Sequence, residues 1–235
     1  MTRLTGILRR LLPSRSGIAT TELALSMPFL LTAGLWGVEL ANFSVVNMRV
    51  GQLAAQLADN ASRIGDQSVL KDRRIYEADI EDLLMGANIQ SGKNLGLFEN
   101  GRVIISSLEV DSSDNQYIHW QRCLGKKRHS SSYGTANQRL PDGMGPTGRE
   151  VIALPGEAVM FVEIAYDYQP LVSSRFIGDP EIASIASFTV RADRDLTKIY
   201  QGNPPSEVYA CNKYSNPFPA YNPTAPSAPL GGGPA

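Results

Sequence analysis

The sequence has only two histidines and two cysteines, and they are too scattered for a metal centre. His119 and His129 form no zinc-binding pattern with Cys123 and Cys211. There is no Gly-x-Ser-x-Gly elbow, and no stretch brings together a nucleophile, a base and a group that orients the base. We therefore expect a protein that is not an enzyme and that uses no metal and no cofactor. A secreted enzyme with an unrecognised site is the remaining alternative, and it would need a deep polar pocket.

One stretch matches the glycine spacing of a nucleotide-binding motif. "GMGPTG", at residues 143–148, has the glycine spacing G-x-G-x-x-G. That motif binds a dinucleotide only between a strand and a helix, where the helix N-terminus meets the pyrophosphate. Here Pro141 and Asp142 come before it, and a strand is predicted after it at residues 151–154. The context therefore predicts a flexible loop.

The chain has little net charge, since its 235 residues sum to −1. That balance argues against a nucleic-acid-binding protein, which normally presents a basic face. The charge is unevenly placed, because the first seventeen residues contain no acid but carry Arg3, Arg9, Arg10 and Arg15. Basic residues beside a membrane segment stay on the cytoplasmic side. We therefore expect a cytoplasmic N-terminus and a C-terminal head outside the cytoplasm.

An apolar segment, "SGIATTELALSMPFLLTAGLWGVEL", follows this basic leader and contains Glu22 near its start and Glu39 near its end. A secretory signal would need small residues after the apolar core, and "LTA" at residues 31–33 fits that poorly. An uncleaved signal anchor would need about 20 apolar residues, which here means including Glu22. A carboxylate inside a membrane helix costs at least about 2.5 kcal/mol and usually has a function.

A third interpretation uses all of these features. A prepilin-type leader is basic, is cleaved after a glycine, and leaves a Glu at the fifth position of the new N-terminus. Gly17 is that glycine, Ile18 becomes the first mature residue, and Glu22 is the fifth. "SGIATTELALSMPFLL" thus resembles the N-terminus of the TadE/TadG-like minor pseudopilins of tight adherence (Tad) pilus systems. Leu23 stands where that family usually has Phe or Tyr.

The resemblance implies a function, a set of partners and a role for Glu22. It implies a minor pseudopilin of Tad (type IV-like) pilus biogenesis, cut by a prepilin peptidase and held in the inner membrane. The implied partners are other pilins and pseudopilins and the inner-membrane assembly platform. Glu22 would pair with the Ile18 ammonium of a neighbouring subunit, or it would only snorkel to the lipid headgroups. The rival from another class is a signal-anchored periplasmic binding domain that never enters a filament.

The apolar segment is predicted to continue outward as one long helix. We assign residues 1–17 to the leader, 18–40 to the transmembrane part and 41–65 to an amphipathic continuation. Pro28 predicts a kink, since it removes a backbone donor and clashes with the preceding turn. A separate short helix after a loop is the alternative. Spacings of three and four define the apolar stripe, which consists of Val46, Val50, Leu53, Leu57, Ala61 and Ile64.

The rest of the chain predicts a small α+β head over residues 66–201. A second helix is expected from about Asp72 to Gln90, where "SGKNLG" breaks the pattern. Four strands should follow and form an antiparallel sheet, which gives a pilin-like plan of a long helix packed on a sheet. Residues 202–235 hold eight prolines and read as an irregular tail. The predicted strands lie at residues 103–110, 117–123, 158–168 and 184–192.

The two cysteines admit two interpretations. They are either unrelated buried thiols or, if the head is exported, a disulfide between Cys123 and Cys211. The bridge would close a loop of about 90 residues, worth roughly 4.6 kcal/mol in the chain-entropy account. We expect the disulfide, conditional on export.

Overall fold

The structure is a computed structural model, and it describes residues 16–65, 73–191 and 193–218. The predicted leader lies outside the described residues except for Ser16 and Gly17, and so does the tail beyond Phe218. The chain forms two compact units. The helical unit comprises the described residues of Met1–Ser44 together with Pro170–Gly178. The head unit comprises those of Val45–Gln169 and Asp179–Ala235.

Eight elements are described, and the predicted α+β class is confirmed. A long helix comes first, two shorter helices follow, and four strands complete the order with one more short helix between the last two. In chain order they are α1 (Ser16–Ala61), α2 (Glu77–Leu95), α3 (Leu97–Asn100), β1 (Gly101–Val110), β2 (Gln116–Leu124), β3 (Val159–Asp167), α4 (Ser174–Ile177) and β4 (Glu181–Thr189).

The long N-terminal helix α1 is one element that continues through Pro28. Its second half packs into the head unit and buries four residues of the predicted stripe together with two alanines beside it. Val46 is only half-buried, and Ile64 lies beyond the end of the helix, which was predicted to reach residue 65. α1 ends at Ala61, and Arg194 donates from Nη2 to the carbonyls of Ala61 and Ile64 at 3.2 and 2.9 Å. A cation at a helix C-terminus is favourable because the last carbonyls carry partial negative charge. The fully buried positions are Val50, Leu53, Ala54, Leu57, Ala58 and Ala61.

The four strands form one antiparallel sheet in the order β2-β1-β3-β4. Helices cover one face: Arg122 of β2 pairs with Glu77 at the start of α2, and the Tyr166 hydroxyl donates to the Leu95 carbonyl at 2.8 Å. The long β2–β3 connection covers the other face, where Met144 and Ala153 pack in a core cluster with Phe161. β1 is therefore buried along nearly its whole length, including its polar residues.

The C-terminal segment up to Phe218 has no helix or strand, yet it packs against the sheet. Cys211 is bonded to Cys123 of β2, so the predicted disulfide is present. Arg102 is 1% exposed and donates to the carbonyls of Cys211, Lys213 and Gly125 at 2.7–3.0 Å. A buried guanidinium needs such acceptors. The covalent bond and these hydrogen bonds together fix the segment to the head.

Helix α2 and strand β4 have boundaries that differ from the sequence-based ones for local reasons. α2 begins at Glu77, because residues 73 and 76 form bridges with residues 194 and 200 and hold the chain extended. Gly92, at φ 68° and ψ 171°, interrupts the helical backbone where a break was predicted, but the helix resumes to Leu95. β4 begins three residues early, at Glu181, because it pairs with β3 as far as Asp167.

One other expectation was wrong. Residues 151–154 form no strand and contribute only a single bridge between Val151 and Met144. Glu163 of β3 is 4% exposed because the β2–β3 connection lies over it. The loop prediction for residues 143–148 is confirmed, since Gly143, Gly145 and Gly148 all have positive φ.

Replacing Cys123 and Cys211 together by Ser should lower the free energy of unfolding of the head by about 2–5 kcal/mol. The unfolded chain would regain the freedom of a long loop, and the 209–218 segment would lose its covalent attachment. Denaturant unfolding in detergent, followed by circular dichroism, would measure the change. Reducing the wild-type protein is the matched control and should give the stability of the double variant. Equal stability of the oxidised and reduced wild-type forms would contradict this.

Candidate functional site: the exposed apolar helix and its two glutamates

The first half of α1 exposes its apolar side chains. Phe29 is 77% exposed and Leu25 72%, whereas Val50 and Ala54 further along the same helix are 0% exposed. Contiguous apolar surface of this size marks an interaction with a membrane or a protein. By its length and composition, the helix is long and apolar enough to cross a membrane. It could therefore serve as a membrane anchor. The other exposed apolar residues here include Ile18, Leu23, Leu30, Leu31, Leu35 and Trp36.

Glu22 lies on this exposed surface, four residues after Ile18 and about 6 Å further along the helix axis. Gly17, Ile18 and Glu22 therefore lie within the first two turns of α1. Among the residues that the structure describes, Glu22 forms no ion pair. Local polar groups elsewhere on this half are satisfied internally. For example, the Thr21 hydroxyl donates to the Ile18 carbonyl at 2.8 Å, and the Thr32 hydroxyl to the Pro28 carbonyl at 2.7 Å.

Glu39, at the other end of the apolar stretch, has a very different environment. It is 0% exposed. Its carboxylate accepts backbone N–H groups from Leu171 at 3.2 Å, Val172 at 2.7 Å and Ser173 at 3.4 Å. Hydrogen bonds to an ionised carboxylate are about twice as strong as neutral ones. These hydrogen bonds take the place of the water molecules that the carboxylate loses on burial.

The donors of these hydrogen bonds belong to the β3–β4 connection, Pro170–Gly178, which is part of the helical unit. Ser173 ends the extended stretch and caps α4, since its Oγ accepts the N–H of Arg175 at 3.2 Å. Gly178 closes the turn at φ 75°, and its N–H donates to the Ser174 carbonyl at 2.6 Å. The short turn thus presents three consecutive N–H groups to one carboxylate.

Sequence reasoning noticed Glu39 but did not find its partner. The donors are backbone groups 132–134 positions away, and backbone N–H groups have no sequence signature. The sequence did contain one signal for this contact, namely a carboxylate at the end of an apolar run. Such a carboxylate needs either water or a set of hydrogen-bond donors. The kink at Pro28 and the cleavage after Gly17 stay predictions.

The head unit carries a groove of about 600 Å³ between the second half of α1 and the end of α2. It is lined mainly by polar side chains, with two cations, Arg49 and Lys93, and two leucines, Leu53 and Leu95. The volume lies in the range of small-molecule sites, although such sites are usually more apolar. The remaining side chains that line it include Gln52, Gln56, Gln90 and Asn94.

Both histidines pair with buried carboxylates on the sheet. His119 Nδ1 lies 2.9 Å from Glu109, and this hydrogen bond raises the pKa of His119 above its ordinary value. The Ser107 hydroxyl donates to the same Glu109 at 2.6 Å. His129 Nε2 lies 3.1 Å from Glu163.

Comparisons of the chain with protein-family models, with curated proteins and with solved structures found no match. The resemblance to the TadE/TadG-like pseudopilins therefore stays a prediction that depends on the residues around Gly17 and Glu22.

Glu39→Ala should release the Pro170–Gly178 connection from α1. Losing charge-assisted hydrogen bonds worth about 1.5–3 kcal/mol each should speed amide exchange at Leu171, Val172 and Ser173 by roughly 10- to 100-fold. Hydrogen exchange with mass spectrometry of the full chain in detergent would measure this. Glu22→Ala, the same change on the same helix, is the control and should leave these amides unaffected. Unchanged exchange in the Glu39 variant would contradict the contact.

Proposed function

We propose that this chain is a minor pseudopilin-like subunit of a Tad-type pilus or secretion machine, anchored in the inner membrane by residues 18–40. One observation carries the proposal most: Glu22, the fifth residue counted from Ile18 in the sequence, lies among the exposed apolar residues of α1. A basic leader, Gly17 and an exposed apolar helix are what a prepilin peptidase substrate requires. Cleavage would remove the leader and leave the helix in the membrane.

The length of the apolar half supports the anchor. From Ile18 to Glu39 the helix rises about 32 Å at 1.5 Å per residue. The hydrocarbon core of a bilayer is about 30 Å thick. With the Ile18 end at one boundary, Glu39 reaches the other, so the only carboxylate left inside the hydrocarbon is Glu22. The basic leader assigns the Ile18 end to the cytoplasm and the head to the periplasm.

The exposed position of Glu22 supports a role in assembly. Cleavage frees an ammonium at Ile18, and in a bundle of such helices this charge and the carboxylate of a neighbouring Glu22 would neutralise each other. Either charge left alone in hydrocarbon is costly. Pairing between subunits would thereby set their axial register. The partners in this proposal are pilins, other pseudopilins, the prepilin peptidase and the inner-membrane platform.

A signal-anchored periplasmic binding domain is the second candidate, and the groove lined by Arg49 and Lys93 favours it. Two cations beside several side-chain amides would suit an anionic or carbohydrate ligand. This candidate keeps the same anchor but needs neither cleavage after Gly17 nor a pairing role for Glu22. The two functions are thus distinguished at the N-terminus of the mature protein.

Protein isolated from its native membrane should begin at Ile18. Mass spectrometry of the N-terminal peptide would test this directly. Gly17→Leu should leave the full-length precursor uncut, because the peptidase must approach the backbone closely at that position. Gly6→Leu is the matched control and should not affect cleavage. A native N-terminus at Met1, or one near Gly34, would overturn the pseudopilin proposal.

Glu22→Ala should leave cleavage intact and abolish incorporation into pili. The helix inserts more easily without a carboxylate, but the partner of the neighbouring Ile18 ammonium is lost. Pili would be scored by microscopy beside an immunoblot for the mature form, which keeps loss of the protein separate from loss of assembly. Glu22→Gln should behave like Glu22→Ala if the charge matters. Normal pili in the Glu22→Ala strain would contradict the pairing role and leave headgroup snorkelling.

A further inference from the structure

We propose that the Pro170–Gly178 connection is a second membrane contact, which lies in the lipid headgroup region and is held there by Glu39. This inference rests on the proposed membrane anchor. It adds a lipid-binding surface outside α1 and assigns a positioning role to a residue that the pseudopilin resemblance does not include.

The depth of Glu39 provides the first support. Its distance from Ile18, about 32 Å along the axis, matches the hydrocarbon thickness, so Glu39 lies at the outer boundary of the bilayer. Whatever is bonded to its carboxylate lies at the same level. Leu171, Val172 and Ser173 are bonded to it through their backbone N–H groups, at 2.7–3.4 Å. The connection is therefore placed at the membrane surface by a short and direct link.

The side chains of the connection provide the second support. Leu171 is 66% exposed and Val172 37% exposed, although a periplasmic turn would normally present polar residues to water. Phe176 and Ile177 in the short helix α4 are only half-buried. Burial of such residues at the boundary between headgroups and acyl chains is favourable, by about 25 cal/mol per Å² of apolar area.

Lipid is the occupant that fits this surface. Exposed Arg175 lies within the apolar turn, and a cation beside apolar side chains complements anionic headgroups above acyl chains. In the same helical unit, the α1 residues on either side of Glu39, Val38 and Leu40, are also exposed. A lipid layer can cover both at once.

Burial of Glu39 follows from the same placement. A bare carboxylate at the end of the apolar stretch would hold water against the hydrocarbon and would favour shallower insertion. The three N–H groups satisfy it without water, and at the same time they fix the apolar turn to the helix. The contact would thereby set the depth at which α1 sits in the membrane.

Depth-dependent fluorescence quenching on the full chain tests the proposal. The native cysteines form a disulfide, so Leu171→Cys can be labelled selectively with an environment-sensitive fluorophore. The protein is reconstituted in vesicles of phosphatidylethanolamine and phosphatidylglycerol that contain lipid spin-labelled either near the headgroup or deep in the acyl chain. Ile152→Cys, an exposed apolar position of the head unit, is the matched control, and Phe29→Cys reports insertion of α1.

We expect the shallow spin label to quench position 171, the deep one to quench position 29, and neither to quench position 152. Quenching at position 29 without quenching at position 171 would overturn this inference and leave the anchor intact. No quenching at position 29 would overturn the proposed anchor and this inference with it. A label at position 171 that is shielded from aqueous iodide but not quenched by lipid would show that a second copy covers the turn, which also overturns it.

The positioning role of Glu39 needs its own comparison. Glu39→Gln, measured with the label at position 171, should reduce shallow quenching, because the amide carries no charge and leaves one oxygen to accept three N–H groups. Deep quenching at position 29 in the same variant verifies that α1 is still inserted. Arg175→Gln should weaken shallow quenching only in vesicles that contain phosphatidylglycerol. Unchanged quenching at position 171 in the Glu39 variant would overturn the role of Glu39.

Discussion

One uninterrupted helix, α1, has to be stable in two different surroundings. Its second half buries an apolar stripe that includes Val50 and Leu57, while its first half exposes apolar residues over more than twenty positions. Apolar surface of that extent is unfavourable in water, so the first half requires lipid or other helices around it. The placement of charged residues elsewhere follows from this division. Carboxylates in the first half need specific partners, and those in the head need hydrogen bonds within the protein.

Three buried charged residues of the head hydrogen-bond to backbone groups of other segments. Arg102 binds three carbonyls around Cys211, Arg194 binds the last carbonyls of α1, and Glu163 accepts the N–H of Ser132. Breaking such a contact leaves a buried charge uncompensated, which is strongly destabilising. These hydrogen bonds therefore hold the irregular segments in place over the strands. Because such segments cover the sheet, both faces of β1 can be buried in a chain of this size.

Features with a local or countable signal were predictable from the sequence. The stripe from Val46 to Ala61 follows the helical period, the four strands follow alternation and turn signals, and a single cysteine pair leaves one possible disulfide. Burial of Glu163 was not predictable, because it depends on where a long connection folds back over the sheet. The contact between Glu39 and residues 171–173 was not predictable either, since it joins positions more than 130 residues apart through backbone groups.

The two carboxylates of the apolar half differ in the hydrogen-bond partners that their own chain provides, and this difference separates their roles. Glu39 receives three N–H groups from its own chain and is fully buried, so it has little capacity left for another subunit. Glu22 is exposed on an apolar surface and forms no ion pair among the described residues, so any partner that neutralises it in a membrane must come from outside them. Under the proposed function, Glu39 is thus a structural residue within one subunit, and Glu22 acts between subunits. An unsatisfied carboxylate in hydrocarbon is costly enough to favour association of the helices, so the exposed position of Glu22 on an apolar surface suits assembly.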